Sequence, residues 1–188
     1  MRTTGRGAQA AHAAILAALL ALGRVTDGLA ADPTRDTPET PMSVVFVHPE
    51  RFADVKDGAF ASDTGKARIL DELGQFMREA GQRHVPAGFS VEVRVTEVDL
   101  AGDFEAWRGP QFERVRVYRD IYSPRIDLEF LVTDDEGRLV REGRRSLRDL
   151  SYLQRAVLRP GDPLRFEKDM LRDWFRGEFA VRADRLVP

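Results

Sequence analysis

The chain contains no cysteine, and only three histidines occur in its 188 residues. The first absence excludes disulfide stapling, a thiol nucleophile and a lipid carried on cysteine. The second leaves little for acid/base or metal chemistry, because His12, His48 and His84 share neither His-x-x-x-His nor His-Glu-x-x-His spacing. A Gly-x-Ser-x-Gly elbow and the glycine motifs that cradle phosphate are missing too, so neither a serine triad nor a nucleotide site is expected. Asp134-Asp135-Glu136-Gly137 lacks the spaced oxygen ligands of a calcium loop and reads as a turn. The expectation is no metal and no cofactor. A basic excess is also lacking: the formal charge is -2, which argues against a general nucleic-acid binder.

What is present begins with the first 31 residues. Arg2 and Arg6 precede an Ala/Leu-rich run over 8–22, and Gly28-Leu29-Ala30-Ala31 supplies small residues for a peptidase. This order predicts a cleavable export signal, cut near Ala30 or Ala31. The apolar run is interrupted by His12 and falls short of the roughly 20 residues a spanning helix needs, so no stable membrane insertion of the mature chain is expected. Removing three arginines and one aspartate with the signal leaves a net charge of -4. The remaining residues, about 157, suffice to bury a core without disulfides. Residues 32–41, with three prolines among polar residues, read as a flexible leader, and 42–188 as one domain.

Side-chain periodicity divides that domain into elements. The run Val44-Val45-Phe46-Val47 does not alternate and predicts a strand inside the sheet, covered on both faces. Ile69, Leu70, Leu73, Phe76, Met77 and Ala80 recur at helical spacing, with Ser62 or Asp63 as a cap and Gly81, Pro86 and Gly88 as the stop. Val91, Val93 and Val95 alternate as a half-buried strand. Ile126, Leu128, Phe130 and Val132, the acidic turn and 139–147 predict a hairpin. Asp162-Pro163 followed by Leu164, Leu171, Trp174, Phe175 and Phe179 predicts a terminal helix. Together these give an α+β two-layer sandwich: a mixed sheet of about four strands with a β-α-β crossover and a hairpin, and two main helices on one face. Residues 100–123, interrupted by Gly102, Gly109, Pro110 and Pro124, form a long excursion with one short strand near Val115, Val117 and Ile121.

Candidate functional residues gather mostly on that excursion. Asp103 and Glu105 are the catalytic candidates, as paired carboxylates for general acid and base work in an envelope hydrolase, with Trp107 as a stacking platform. The plainer alternative is that Phe104 and Trp107 pin the loop to the core while the acids pair with arginines. Arg138, Arg141, Arg144, Arg145 and Arg148 follow the hairpin turn. Alternation divides them between two faces of a strand, which suits either a charged, edge-protecting strand or an anion site at Arg141 and Arg145. Trp107, Arg125, Arg141 and Arg145 are therefore the candidate binding residues.

Four blocks, 44–55, 98–107, 115–126 and 166–175, resemble the DUF3016 family, a group of exported bacterial proteins of unknown function. They contain His48-Pro49-Glu50-Arg51-Phe52, Gly102-Asp103-Phe104-Glu105-Ala106-Trp107, Tyr118-Arg119-Asp120-Ile121-Tyr122-Ser123-Pro124-Arg125 and Asp169-Met170-Leu171-Arg172-Asp173-Trp174-Phe175. Glu105-Ala106-Trp107 departs from the Glu-Pro-Trp of the family pattern. The resemblance implies export and a shared fold, and it supplies no catalytic residues. The resulting expectation is a soluble periplasmic or secreted protein, a non-enzymatic binding or envelope-accessory module. Its partner would be an envelope protein, glycan or lipid component.

Overall fold

The structure is a computed structural model that describes residues 41–155 and 160–179. The predicted signal and the leader through residue 40 lie outside these residues. In chain order the elements are β1 (Met42–Phe46), α1 (Asp63–His84), β2 (Phe89–Asp99), β3 (Asp103–Phe104), β4 (Arg116–Val117), β5 (Arg125–Asp134), β6 (Leu139–Arg148) and α2 (Arg165–Phe179). Four of the strands form one sheet in the order β1-β2-β5-β6, and β3 and β4 form a separate two-stranded ladder. The pair β1 and β2 is parallel, joined by α1, while β2–β5 and β5–β6 are antiparallel. This is the mixed-sheet α+β sandwich that the periodicity implies.

The core lies between the sheet and the two helices. Ile69, Leu73 and Met77 of α1 and Leu171, Trp174 and Phe175 of α2 join the inward valines of β2 and Ile126, Leu128, Phe130 and Val132 of β5 in one buried cluster. Trp174, Phe179 and Phe130 meet edge to face, with centroids 5.6–6.0 Å apart, the arrangement that aromatic quadrupoles favour. A register shift in β2 between Val95 and Glu97 changes the phase of the strand, so Val98 instead of Glu97 enters the core. Glu97 is freed to accept the backbone N–H groups of Ala53 at 2.6 Å and Val98 at 3.0 Å. At the hairpin turn Asp134 accepts N–H bonds from Glu136 and Arg138, and these bonds hold its carboxyl below the usual range.

Three local expectations are corrected. First, β1 is an edge strand, and Val45 is 46% exposed. Only Met42, Val44 and Phe46 pack on the core, so the unbroken apolar run does not mark a strand covered on both faces. Second, Gly81 does not stop α1, which continues to His84 and ends where Val85, held extended before Pro86, donates to Gly81 O. Gly81 instead permits contact, because a Cβ there would lie 2.6 Å from Met42 Cβ. Third, the excursion contains two short strands. Its second is Arg116–Val117, with Val115 and Ile121 outside it and exposed.

The cap of α1 is Ser62, as expected, whereas Asp162 and Pro163 lie in a turn ahead of α2, which begins at Arg165 and not at Pro163. Ser62 Oγ accepts the Gly65 N–H at 3.0 Å, and Asp162 Oδ1 accepts that of Leu164 at 2.9 Å. Among the described residues, no helix is long and apolar enough to cross a membrane.

Candidate functional site

The excursion between Asp99 and Ser123 is braced rather than loose. Asp103 pairs with Val117 and Phe104 with Arg116 across the β3–β4 ladder. Gly102 makes the entry possible: its φ is +77°, and a Cβ there would lie 2.8 Å from Val117 O. Arg116 is the principal brace. Its Nη1 donates to Asp54 Oδ2 at 3.0 Å, Ala101 O at 3.1 Å and Gly102 O at 2.8 Å, and its Nη2 to Lys56 O at 2.9 Å. Its guanidinium also lies 4.7 Å from the centre of the Phe104 ring. Burial pushes the Asp54 carboxyl up, against the pull of Arg116 and Lys56.

A second brace comes from α2. Glu167 is almost wholly buried, and its Oε1 accepts the Ala101 N–H at 2.6 Å, while Oε2 has no hydrogen-bond partner among the described residues. Burial raises its carboxyl to about 7. Nearby, Tyr152 donates its hydroxyl to Arg119 O at 2.8 Å, and Tyr118 meets Phe166 edge to face at 5.2 Å. These contacts fix the root and the return limb of the excursion against the helical layer.

The two candidate carboxylates are neighbours on the chain with separate partners. Asp103 lies 2.9 Å from Lys56 Nζ and accepts the Phe104 N–H; although burial opposes it, these two groups hold its carboxyl low. Glu105 is fully buried, and Oε2 accepts from Arg108 at 2.9 Å and Arg119 at 3.0 Å, while Oε1 accepts from Tyr122 at 3.3 Å. An acid/base pair needs one carboxyl kept protonated beside one kept ionised. Here Asp103 is paired with Lys56, and Glu105 with both Arg108 and Arg119, so the two carboxylates have separate sets of cationic partners.

Phe104 and Trp107 part company. Phe104 is buried at the ladder, whereas Trp107 is 70% exposed in the single turn of 3-10 helix that follows Glu105. Trp107 therefore does not pin the loop, and Trp107→Ala is expected to change unfolding free energy by less than about 0.5 kcal/mol in urea titrations. A larger loss would show that the indole packs against the fold.

The candidate arginines do not gather around Trp107. Arg125 opens β5, in register with Asp99 and Arg148, and its Nη2 is 3.9 Å from both Glu97 and Asp127. Arg141 and Arg145, on the edge strand β6, clasp one carboxylate, Glu178 of α2; Arg145 does so through two bonds of 2.9 Å. Both also lie over the Phe130 ring, at 5.5 and 5.2 Å. They join the edge of the sheet to α2. His48 faces Glu50 at 3.3 Å with both side chains exposed, and His84 Nδ1 is 2.9 Å from Ala80 O.

What the braces do enclose is a cleft of about 260 Å3 between the excursion and the N-terminal ends of α1 and α2. Lys56, Arg68, Arg114 and Arg116 line it, with Leu100, Phe104 and Leu164 as apolar wall. None of these four cations was a sequence candidate. A larger concavity, about 410 Å3 at the far end of the sheet, has Glu92 as the only titratable group among its described lining residues. One signal for the buried carboxylate was readable: Glu167 lies three residues after Leu164 and four before Leu171, on the apolar stripe itself. The cations of the cleft left no such sign, because they come from segments separated along the chain.

No curated protein and no solved structure matches the chain. A family model described as a protein of unknown function, DUF3016, matches residues 40–177, which span both layers of the sandwich and the whole braced excursion, and the chain belongs to that family.

Proposed function

We propose that the protein acts outside the cytoplasm as a non-enzymatic binding or accessory module of the cell envelope, and takes its ligand in the cleft under the excursion. The observation that carries this reading is the bracing of that cleft. Arg116, Glu105 and Glu167 tie the excursion to the 54–56 segment, to itself and to α2, which gives a pre-formed concave wall. Pre-organisation of this kind limits the ordering cost of binding. The carboxylates of the excursion are spent as acceptors in the same bracing, which favours binding over hydrolysis. Support for export comes from the order of charged, apolar and small residues over 1–31.

Two measurements test the proposal. The protein recovered from cells of the native host should appear in the periplasmic or secreted fraction, with an intact mass beginning at Ala31 or Asp32. The purified mature chain should leave peptidoglycan, ester and phosphate substrates unchanged. Cytoplasmic full-length protein would overturn the export reading, and turnover abolished by Asp103→Asn would overturn the non-enzymatic one.

A further inference from the structure

The wall of the cleft joins an apolar floor to a cation that has no partner among the described residues. Leu100, Phe104 and Leu164 are buried beneath it, and Tyr118 is half-buried at one side. Two acids, Asp57 and Glu72, face its four cations. Glu72 is answered by Lys168 at 2.5 Å, and Asp57 loosely by Arg68 at 3.6 Å. Arg116 is saturated by Asp54 and three carbonyl oxygens, and Lys56 is held by Asp103; neither Asp54 nor Asp103 lines the cleft. Arg114, exposed at the rim, has no hydrogen-bond or ion-pair partner among the described residues. Of the four lining cations, Arg116, Lys56 and Arg68 each have an acid partner, and Arg114 is the one left without an acid among the described residues.

A guanidinium offers paired donors that match carboxylate or phosphate oxygens, and an adjoining apolar floor rewards an apolar body. The geometry points to a small amphiphilic anion as the ligand: one carboxylate or phosphate monoester group at Arg114 and Arg68, and a short hydrocarbon body on Leu100, Phe104 and Leu164. At about 260 Å3 the cleft is slightly below the roughly 300–1,000 Å3 of drug-sized sites, which sets the ligand at the small end. This inference rests on the binding-module reading and deepens it by naming the ligand class.

The test uses the mature chain, 15N-labelled, titrated in parallel with hexanoate, hexyl phosphate, hexanol, hexylammonium and inorganic phosphate. Saturable amide shifts at Leu100, Phe104, Arg114 and Leu164 are expected with hexanoate or hexyl phosphate. The tighter of the two identifies the headgroup. Hexanol and inorganic phosphate should each bind at least about tenfold more weakly, since each supplies only one half of the recognition. Arg114→Gln, at an exposed position that leaves the fold intact, should weaken the anion about fivefold, and Arg68→Gln should weaken it in the same direction.

Equal binding of hexanol or hexylammonium, shifts that map elsewhere, the lack of any saturable response, or an Arg114→Gln affinity equal to wild type would overturn the assignment. Saturable hexanol binding in the cleft without an anion preference would remove the anion and leave the binding module standing. Turnover sensitive to Asp103→Asn would remove the module itself.

Discussion

Replacing Arg116 with methionine is expected to destabilise the fold by about 3–5 kcal/mol, because it leaves the largely buried Asp54 without its main counter-charge. It also strips donors from the carbonyls of Lys56, Ala101 and Gly102. Methionine approximates the length and apolar stem of arginine, so the loss reports the charge and hydrogen bonds rather than a cavity. The deficit should depend on pH. Burial already pushes Asp54 up, and without Arg116 it moves further, so the penalty of a charged, unpaired Asp54 shrinks as pH falls and the carboxyl takes up a proton. Urea unfolding of wild type and variant at pH 4 and pH 7 checks this, with the larger difference expected at pH 7. Adding Asp54→Asn should restore only part of the loss, since the three carbonyls remain unpaired. A loss under about 1 kcal/mol at pH 7 would mean that the excursion is not held by this arginine.

Glu167→Gln is expected to flatten the pH dependence of stability. In the folded chain the Glu167 carboxyl titrates at about 7, and its ordinary value is 4.5. Between those values the folded state binds more protons than the unfolded state, so stability falls as pH rises through this window and stays lowered above about 7. The full effect is at most about 3 kcal/mol, from the size of the shift. Glutamine keeps an acceptor for the Ala101 N–H and cannot ionise. The difference in unfolding free energy between pH 5 and pH 8 should therefore be smaller in the variant. Asp54 and Asp99, whose carboxyls are also raised, remain in both proteins and cancel in the comparison. A 13C titration of the Glu167 carboxyl in wild type should give a midpoint near 7. A midpoint in the ordinary range, or equal slopes in the two proteins, would refute the buried-carboxyl account.

Both effects arise at the root of the excursion, beside the cleft. Arg116 holds Ala101 and Gly102 through their carbonyls, and Glu167 holds Ala101 through its N–H. A single peptide segment is thus gripped from two elements. Arg116→Met removes one of these grips and should loosen the ladder that places Phe104 on the cleft floor, weakening binding of the proposed ligand, whereas Glu167→Gln keeps the Ala101 N–H acceptor and should leave that binding close to wild type.

The repeating elements were legible because their signal is local. In β2 and β5 the alternation of Val91, Val93 and Val95 and of Ile126 to Val132 survives intact in the burial pattern, and the three- and four-residue spacing of α1 and α2 marks their buried faces. Where one residue altered the phase, the local signal stopped short. The shift after Val95 put Val98 in the core, and the apolar run of β1 could not reveal that only β2 lies beside it. Of the candidate site residues, Asp103 and Glu105 were visible as acids in a broken, aromatic-rich loop. Their partners, Lys56 and the pair Arg108 and Arg119, were not.

Side-chain period, caps and turns therefore settle the α+β class, the element order and the inward faces, since each depends on residues within a turn or two of one another. Chain closure settles the rest. Asp54 meets Arg116 across 62 positions, Ala101 meets Glu167 across 66, and Arg145 meets Glu178 across 33. Which arginine is saturated, which carboxylate is buried and which cation is left open at the cleft depend on strand order and on where the excursion lands against α2. Those are properties of the packed chain, because a charge acquires its partner only when distant segments have been brought within a few ångströms of it.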